Sequence, residues 1–284
     1  MKGLRKSLRK SLSIIGAGKV GQVVGRQLAM HAVFEVSQVL NRSLASAQQA
    51  AAFIGAGVAA ADVRSLRKAD VYMLTVPDDQ IAASCAALRQ GGLLDSASLV
   101  FHCSGAKAST ELAAALAAGA AVASLHPVRS FADIGAVSAS FAGTICSLEG
   151  DARALAVLAP ALQAIGAQVV QISAENKLLY HAGSVFASNY LVSLMEIALQ
   201  AYVAAGVPAE TARAMAAPLA RQTLENVFRL GTEQALTGPI ARGDMLTVER
   251  QLQQVAGWDA AAGDIYRAFI PATLKLAARK NRQK

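Results

Sequence analysis

Lys177, His181, Ser184 and Ser188 fall within roughly 60° of one another if residues 174–205 form one helix turning 100° per residue. Asn189 stands at the edge of that stripe. An amine and an imidazole one turn apart can pass a proton to a carbonyl or imine, and Ser188 or Asn189 can orient it. The plainer alternative is a surface lysine with a buried, hydrogen-bonded His and Ser pair. Earlier in the chain, His126 and Arg129 follow the strand-like run 121–125, where a histidine can donate a proton and an arginine can anchor an anion. Arg242 is left over in Gly238-Pro239-Ile240-Ala241-Arg242-Gly243-Asp244 once Asp244 is read as a helix cap and Gly-Pro as a turn. It could bind a carboxylate or phosphate, or pair with an acid across a dimer interface.

A second kind of chemistry is written in Gly16-Ala17-Gly18-Lys19-Val20-Gly21. An apolar run, 12–15, precedes it and a helical pattern, 20–30, follows. The first glycine allows a tight turn, the second lets backbone approach a pyrophosphate, and the third lets helix and strand pack closely. The helix N-terminus then favours the anion. About 20 residues on, an acid would read the ribose 2′-hydroxyl of NAD. This chain instead has Asn41-Arg42-Ser43. An arginine can hold a 2′-phosphate with paired donors and Ser43 adds a hydroxyl, so the expected cofactor is NADP(H). Arg42 as an ordinary solvated loop residue is the alternative. Val76, Pro77 and Asp78 follow the strand-like run 71–75 and are expected beside the cofactor, with Asp78 also able to cap the next helix. Ser104 and Gly105 end the run 98–102 and are expected near the nicotinamide end.

These residues need a frame. Residues 11–172 alternate strand-like runs (12–15, 34–40, 71–75, 98–102, 121–125, 144–148 and 167–172) with alanine-rich helical runs. That order predicts an α/β fold, a doubly wound, mostly parallel Rossmann sheet. Residues 173–284 carry helical patterns at 174–205, 209–230, 244–256 and 259–280 and no convincing strand. The expected organisation is a basic tail (1–10), a Rossmann NADP-binding domain (11–172) and an all-α domain for substrate binding and dimerisation (173–284). Chemistry is expected in the cleft between the last two, outside the carboxyl ends of the strands.

Composition narrows the classes. The 284 residues are 54% hydrophobic and 16% charged, enough for a large core and unlike a disordered chain. The net charge of +8 lies in the ends: ten of the 27 basic residues occupy positions 1–10 and 275–284, and the 17 that remain meet 19 acids. A nucleic-acid partner is therefore not expected. The basic start followed by apolar residues is not expected to act as a signal peptide, because Lys19 and the glycine turn fall inside the apolar part. Residues 178–195 are uncharged, but His181, Ser184, Ser188 and Asn189 favour a helix buried in a soluble domain over a bilayer span. Cys85, Cys103 and Cys146 are odd in number and scattered, which suits buried thiols in a reducing cytoplasm and no metal site. The motif Gly-x-x-x-x-Gly-Lys-Ser/Thr of P-loop NTPases is absent.

Over residues 11–280 the chain resembles a family of Rossmann-like proteins with an all-helical C-terminal domain of unknown function, related to pyrroline-5-carboxylate reductases, deazaflavin-dependent NADP oxidoreductases and β-hydroxyacid dehydrogenases. The motifs that carry the resemblance are Gly16 to Gly21, Asn41-Arg42-Ser43, Thr75-Val76-Pro77-Asp78, His102 to Ala106, Leu125-His126-Pro127, Lys177-x-x-x-His181 with Ser188-Asn189, and Gly238 to Asp244. Resemblance to the β-hydroxyacid dehydrogenases implies a catalytic lysine, matched by Lys177, and an asparagine four residues on, where His181 stands instead. Leu125-His126-Pro127 is similar to the His-Pro element of prephenate dehydrogenases. The resemblance implies NADP(H), a homodimer through the helical domain and no particular substrate. The function expected is an NADP-dependent oxidoreductase moving a hydride between nicotinamide and a small carbonyl, imine or hydroxy compound. A non-catalytic NADP(H)-binding sensor or regulator is the alternative.

Overall fold

The computed structural model describes residues 9–282. The tail residues Lys2, Arg5, Lys6 and Lys284 lie outside the described residues. Eight strands form one sheet: β1 (Ser11–Ile15), β2 (Glu35–Leu40), β3 (Val58–Ala60), β4 (Val71–Leu74), β5 (Leu99–His102), β6 (Ala121–Pro127), β7 (Ile145–Gly150) and β8 (Gln168–Gln171). Their order is β3-β2-β1-β4-β5-β6-β7-β8. The first six run parallel, with a reversal of strand order between β1 and β4. β7 pairs antiparallel with β6, and β8 runs parallel to β7.

Alternation along the strands explains the layers. Leu12, Ile14, Met73 and Phe101 belong to one hydrophobic cluster, and Ile15, Tyr72, Leu74 and Val100 to another. Every residue of β4 and β5 is buried, as expected of parallel strands covered on both faces. The helices of this part are α1 (Lys19–Met30), α2 (Leu44–Ile54), α3 (Ile81–Gln90), α4 (Ala113–Leu116), α5 (Ile134–Ala139), α6 (Ala152–Ala164) and α7 (Lys177–Ala187). α5 is about 9 Å long at 1.5 Å per residue, too short to return the chain along β6 for another parallel pairing. β7 therefore comes back antiparallel, which sets Ser147 opposite His126 and Glu149 opposite Ser124.

Two compact units are resolved, one closing at Val185 and one starting at Phe186. The sequence pattern suggested a change at 172/173. Lys177 and Tyr180 account for the later position, because both reach groups on β7 and β6 and keep this stretch with the sheet. The single helix expected over 174–205 is interrupted at Ser188 (φ −128°, ψ −71°), which separates α7 from α8 (Asn189–Ala204). Helices α9 (Ala209–Leu230), α10 (Thr232–Ala235), α11 (Pro239–Arg242), α12 (Met245–Trp258) and α13 (Ala260–Arg282) complete the second unit.

The expectation that residues 178–195 lie buried is corrected. Leu178 and Leu179 are exposed, and α8 has no buried residue in the single chain. The stretch Lys177–Ala204 is long and apolar enough to cross a membrane by length and composition, although Lys177 at its start is buried beside Glu149.

Candidate active site

The glycine turn joins β1 to α1 as its spacing predicts. Gly16 has φ +79°, and a Cβ there would lie 2.4 Å from the Val76 side chain. Its N–H donates to Leu40 O, and the Thr75 hydroxyl donates to Gly16 O at 2.8 Å. A Cβ on Gly21 would lie 2.2 Å from that same hydroxyl, so this glycine lets α1 settle against β4. Gly18 differs: a Cβ there would meet nothing nearer than Gly16 O at 3.9 Å. Gly18 is the N-cap of α1 and offers it no side-chain hydrogen bond, so the first helical N–H groups are left for another acceptor. Open space over a glycine, beside an uncapped helix start, fits a pyrophosphate.

The neighbouring loop divides its residues between binding and structure. Arg42 is exposed at the end of β2 and has no hydrogen bond or ion pair among the described residues. Its guanidinium remains available to a 2′-phosphate. Asn41 donates to Ser46 O at 3.0 Å and to Ala17 O at 3.4 Å, bracing the turn. Ser43 caps α2 by accepting from Ser46 N at 3.2 Å. Lys19 donates to Ala132 O. Val76 packs over Gly16, and Pro77 opens the short turn Asp78–Gln80. Asp78 does not cap that turn; its carboxylate accepts from the Ser104 hydroxyl at 2.8 Å. Ser104 also accepts from the Ala106 and Lys107 amides, so its hydroxyl is committed to shaping the loop after β5.

Ser104 leads to the second half of the site. A Cβ on Gly105 would lie 2.4 Å from His181 Nδ1 and 2.9 Å from His126 Nε2, so both imidazoles converge on a space that only glycine leaves free. The His126 and His181 rings meet edge to face at 5.6 Å. His126 Nδ1 and the Tyr180 hydroxyl share a hydrogen bond of 3.0 Å. Burial, helped by the neighbouring His181 and Lys177, pushes the pKa of His126 down to about 4, so the ring is neutral at physiological pH. Burial also lowers His102, whose Nε2 donates to Ala108 O while Nδ1 accepts from Ser104 N.

Lys177 opens α7 with 1% of its surface exposed. Its Nζ has no hydrogen-bond partner among the described residues, and its nearest carboxylate oxygen, Glu149 Oε1, is 3.9 Å away. Glu149 is engaged elsewhere: Oε1 accepts from Ser109 N at 2.7 Å and Oε2 from Ser109 Oγ at 2.8 Å. Burial lowers the pKa of Lys177 and Glu149 opposes that shift. Two buried side-chain nitrogens lack partners among the described residues, Lys177 Nζ and His181 Nδ1, while Ser147 Oγ lies against the Tyr180 hydroxyl. All belong to this one neighbourhood, since Ser147 sits opposite His126 in the sheet. Unpaired buried donors and acceptors are costly, and an incoming polar group would satisfy them.

The structure thus brings together Lys177, His181 and His126 and adds Tyr180, Glu149, Ser109 and Ser147, which the sequence reading did not select. Tyr180 was detectable at the edge of the Lys177 stripe. Glu149 was detectable as a lone charge in an otherwise uncharged strand. Ser109 had no local signal. Arg129 is corrected from anion anchor to brace: its guanidinium donates to Ser140 O, Ser140 Oγ and Thr144 Oγ1. Ser188 and Asn189 leave the stripe at the helix break and are exposed in the second unit. Arg242 is exposed in the second unit at the end of α11, and Asp244 caps α12 through Thr247 N.

Comparison with known proteins fits this frame. Residues 2–127 match the Rossmann-like domain and residues 144–273 match DUF2520, a domain of unknown function. No curated protein matches the chain. Among solved structures, a Bacteroides fragilis protein provisionally named an NADP oxidoreductase is 19% identical (TM-score 0.74; 94% of this chain, 98% of that one). A Thermotoga maritima protein is 25% identical (TM-score 0.73; 95% and 99%). The Myxococcus stipitatus imine reductase with NADP+ is 17% identical (TM-score 0.63; 92% and 94%).

Proposed function

The chain carries a Rossmann-like domain followed by a DUF2520 domain, and we propose that it is an NADP(H)-dependent oxidoreductase acting on a small carbonyl, imine or hydroxy compound. One observation carries this reading: a phosphate-compatible glycine turn and a buried lysine amine without a hydrogen-bond partner among the described residues occupy the same carboxyl edge of the parallel strands. Ile15, Leu74 and His102 are in register across β1, β4 and β5. Two strand steps of about 4.8 Å separate the turn from the loop that holds Gly105. The nicotinamide names of the similar structures add support.

The residues divide the work by position. Backbone from Gly16 to Gly21 and the start of α1 would hold the pyrophosphate, and Arg42 the 2′-phosphate on the opposite side of β1 from the histidines. When bound, the nicotinamide supplies or accepts the hydride. Lys177 Nζ gives a proton to the substrate's oxygen or nitrogen in one direction and removes it in the other. His181 Nδ1 lies one helical turn on and serves the same exchange. His126, neutral and tied to Tyr180, orients the substrate by hydrogen bonding rather than by charge. Leu219, Phe228 and Leu246 leave apolar surface exposed on the second unit, and a second copy of the chain covering it fits the homodimer reading.

The test is titration with NADPH and NADH, followed by nicotinamide fluorescence, for wild type and Arg42→Ala. Loss of charge-assisted bonds worth about 1.5–3 kcal/mol weakens NADPH about tenfold or more and leaves NADH unchanged. Absence of binding to either cofactor overturns the proposal. NADPH binding with no turnover that depends on Lys177 would leave the sensor reading standing.

A further inference from the structure

Lys177 raises a question that its own burial sharpens. A buried ammonium sheds its proton unless an anion stands close by, yet a direct ion-pair bond would take one of its three donors and fix where the other two point. The groups around it are Glu149 on β7, His102 and Cys103 at the end of β5, His126 on β6, Asp78 on the turn after β4, and His181 one turn along α7. Burial holds His102 and His126 low and the Cys103 thiol high, so these three are neutral near pH 7. Asp78 is exposed and accepts from the Ser104 hydroxyl. Glu149 is the buried anion that remains, 4% exposed and 3.9 Å from Nζ.

The clamp on Glu149 explains that distance. Ser109 spends its backbone N–H on Oε1 and its hydroxyl on Oε2, and so fixes the carboxylate where it is. The carboxylate is near enough to favour the charged amine and too far to bond it. We infer that Glu149, held back by Ser109, is a positioning residue that keeps Lys177 charged while leaving its hydrogen bonds free for another acceptor. This rests on Lys177 as the proton donor and adds the device that sets its charge.

The experiment reads that charge without cofactor or substrate. Full-length protein is labelled with 13C-lysine, and the Lys177 Cε resonance, assigned by its loss in Lys177→Met, is followed against pH by NMR. In Glu149→Gln the midpoint falls by about 1–3 pH units relative to wild type, the range an adjacent opposite charge produces. In Ser109→Ala the backbone N–H still holds Oε1 and only the bond to Oε2 is lost, so the carboxylate stays beside Nζ and the midpoint stays at or above the wild-type one. An unchanged midpoint in folded Glu149→Gln overturns the inference. Should Glu149→Gln fail to fold, a lowered midpoint in Ser109→Ala overturns it. NADPH titration of the same samples scores the oxidoreductase reading separately: lost NADPH binding with the predicted midpoints would fault that reading alone.

Discussion

The glycine turn and the Lys177 neighbourhood sit on the same sheet edge and are built on opposite plans. In the turn, the groups satisfy one another: the Gly16 N–H donates to Leu40 O, its carbonyl accepts from the Thr75 hydroxyl, and Ser43 caps the helix it begins. Around Lys177, groups far apart in sequence meet and leave some atoms unsatisfied, with Lys177 and His181 each holding an unpaired buried atom. That closure makes a cradle with open space over Gly18. Non-local incompleteness stores binding capacity, because each unpaired atom gains a full hydrogen bond when a ligand supplies one. The contrast can be broken from either side.

The largest effect is expected within the turn, at two glycines of different purpose. Gly21→Val places a side chain where the Thr75 hydroxyl stands and pushes away the bond to Gly16. Overpacking of this kind costs about 3 kcal/mol, visible as a lower urea midpoint, and NADPH binding is lost with it. Gly18→Ala meets no atom closer than 3.9 Å, and the backbone there, at φ −74°, accepts alanine. Its stability stays within about 0.5 kcal/mol of wild type while NADPH affinity falls. Equal destabilisation by both changes would erase the distinction between a packing glycine and a binding one.

A smaller effect belongs to the other region. His126 titrates at about 4 in the folded chain because it is buried, against about 6.5 when unfolded. As pH falls below 6.5 the unfolded chain takes up the proton first, so stability is lost between pH 6.5 and 4 and is fully present above that window. For a half-buried ring, screening reduces the loss to about 2 kcal/mol. Urea unfolding of wild type and His126→Asn at pH 7 and pH 4.5 measures it. The variant should lose less stability on acidification, and parallel losses would place the pH response elsewhere, with buried His102 the next group to examine.

The same contrast explains what could be read from the sequence. The glycine turn and the central strands were legible because their signals are local: glycine spacing and runs of apolar residues. β3 was missed, being three residues long and half exposed at an edge. The clamp was invisible because Glu149 and Ser109 lie 40 residues apart and meet only through the antiparallel return of β7. Arg129 misled for the same reason. Its strand-end address suggested an anion site, but its partners Ser140 and Thr144 come from the far side of α5.

Ser43 gives the smallest and most discriminating effect. Read locally, its hydroxyl beside Arg42 looks like a second phosphate ligand. In the structure the same oxygen accepts from Ser46 N and shares a 3.0 Å hydrogen bond with the Ser46 hydroxyl, which in turn donates to Ser43 O. These bonds cap α2, and removing such a cap costs about 1 kcal/mol. Ser43→Ala should lower the urea midpoint by that amount and leave the ratio of NADPH to NADH affinity at its wild-type value. If that ratio falls as it does in Arg42→Ala, the hydroxyl leaves its cap when cofactor arrives. The turn would then hold binding capacity in reserve, as the Lys177 neighbourhood does.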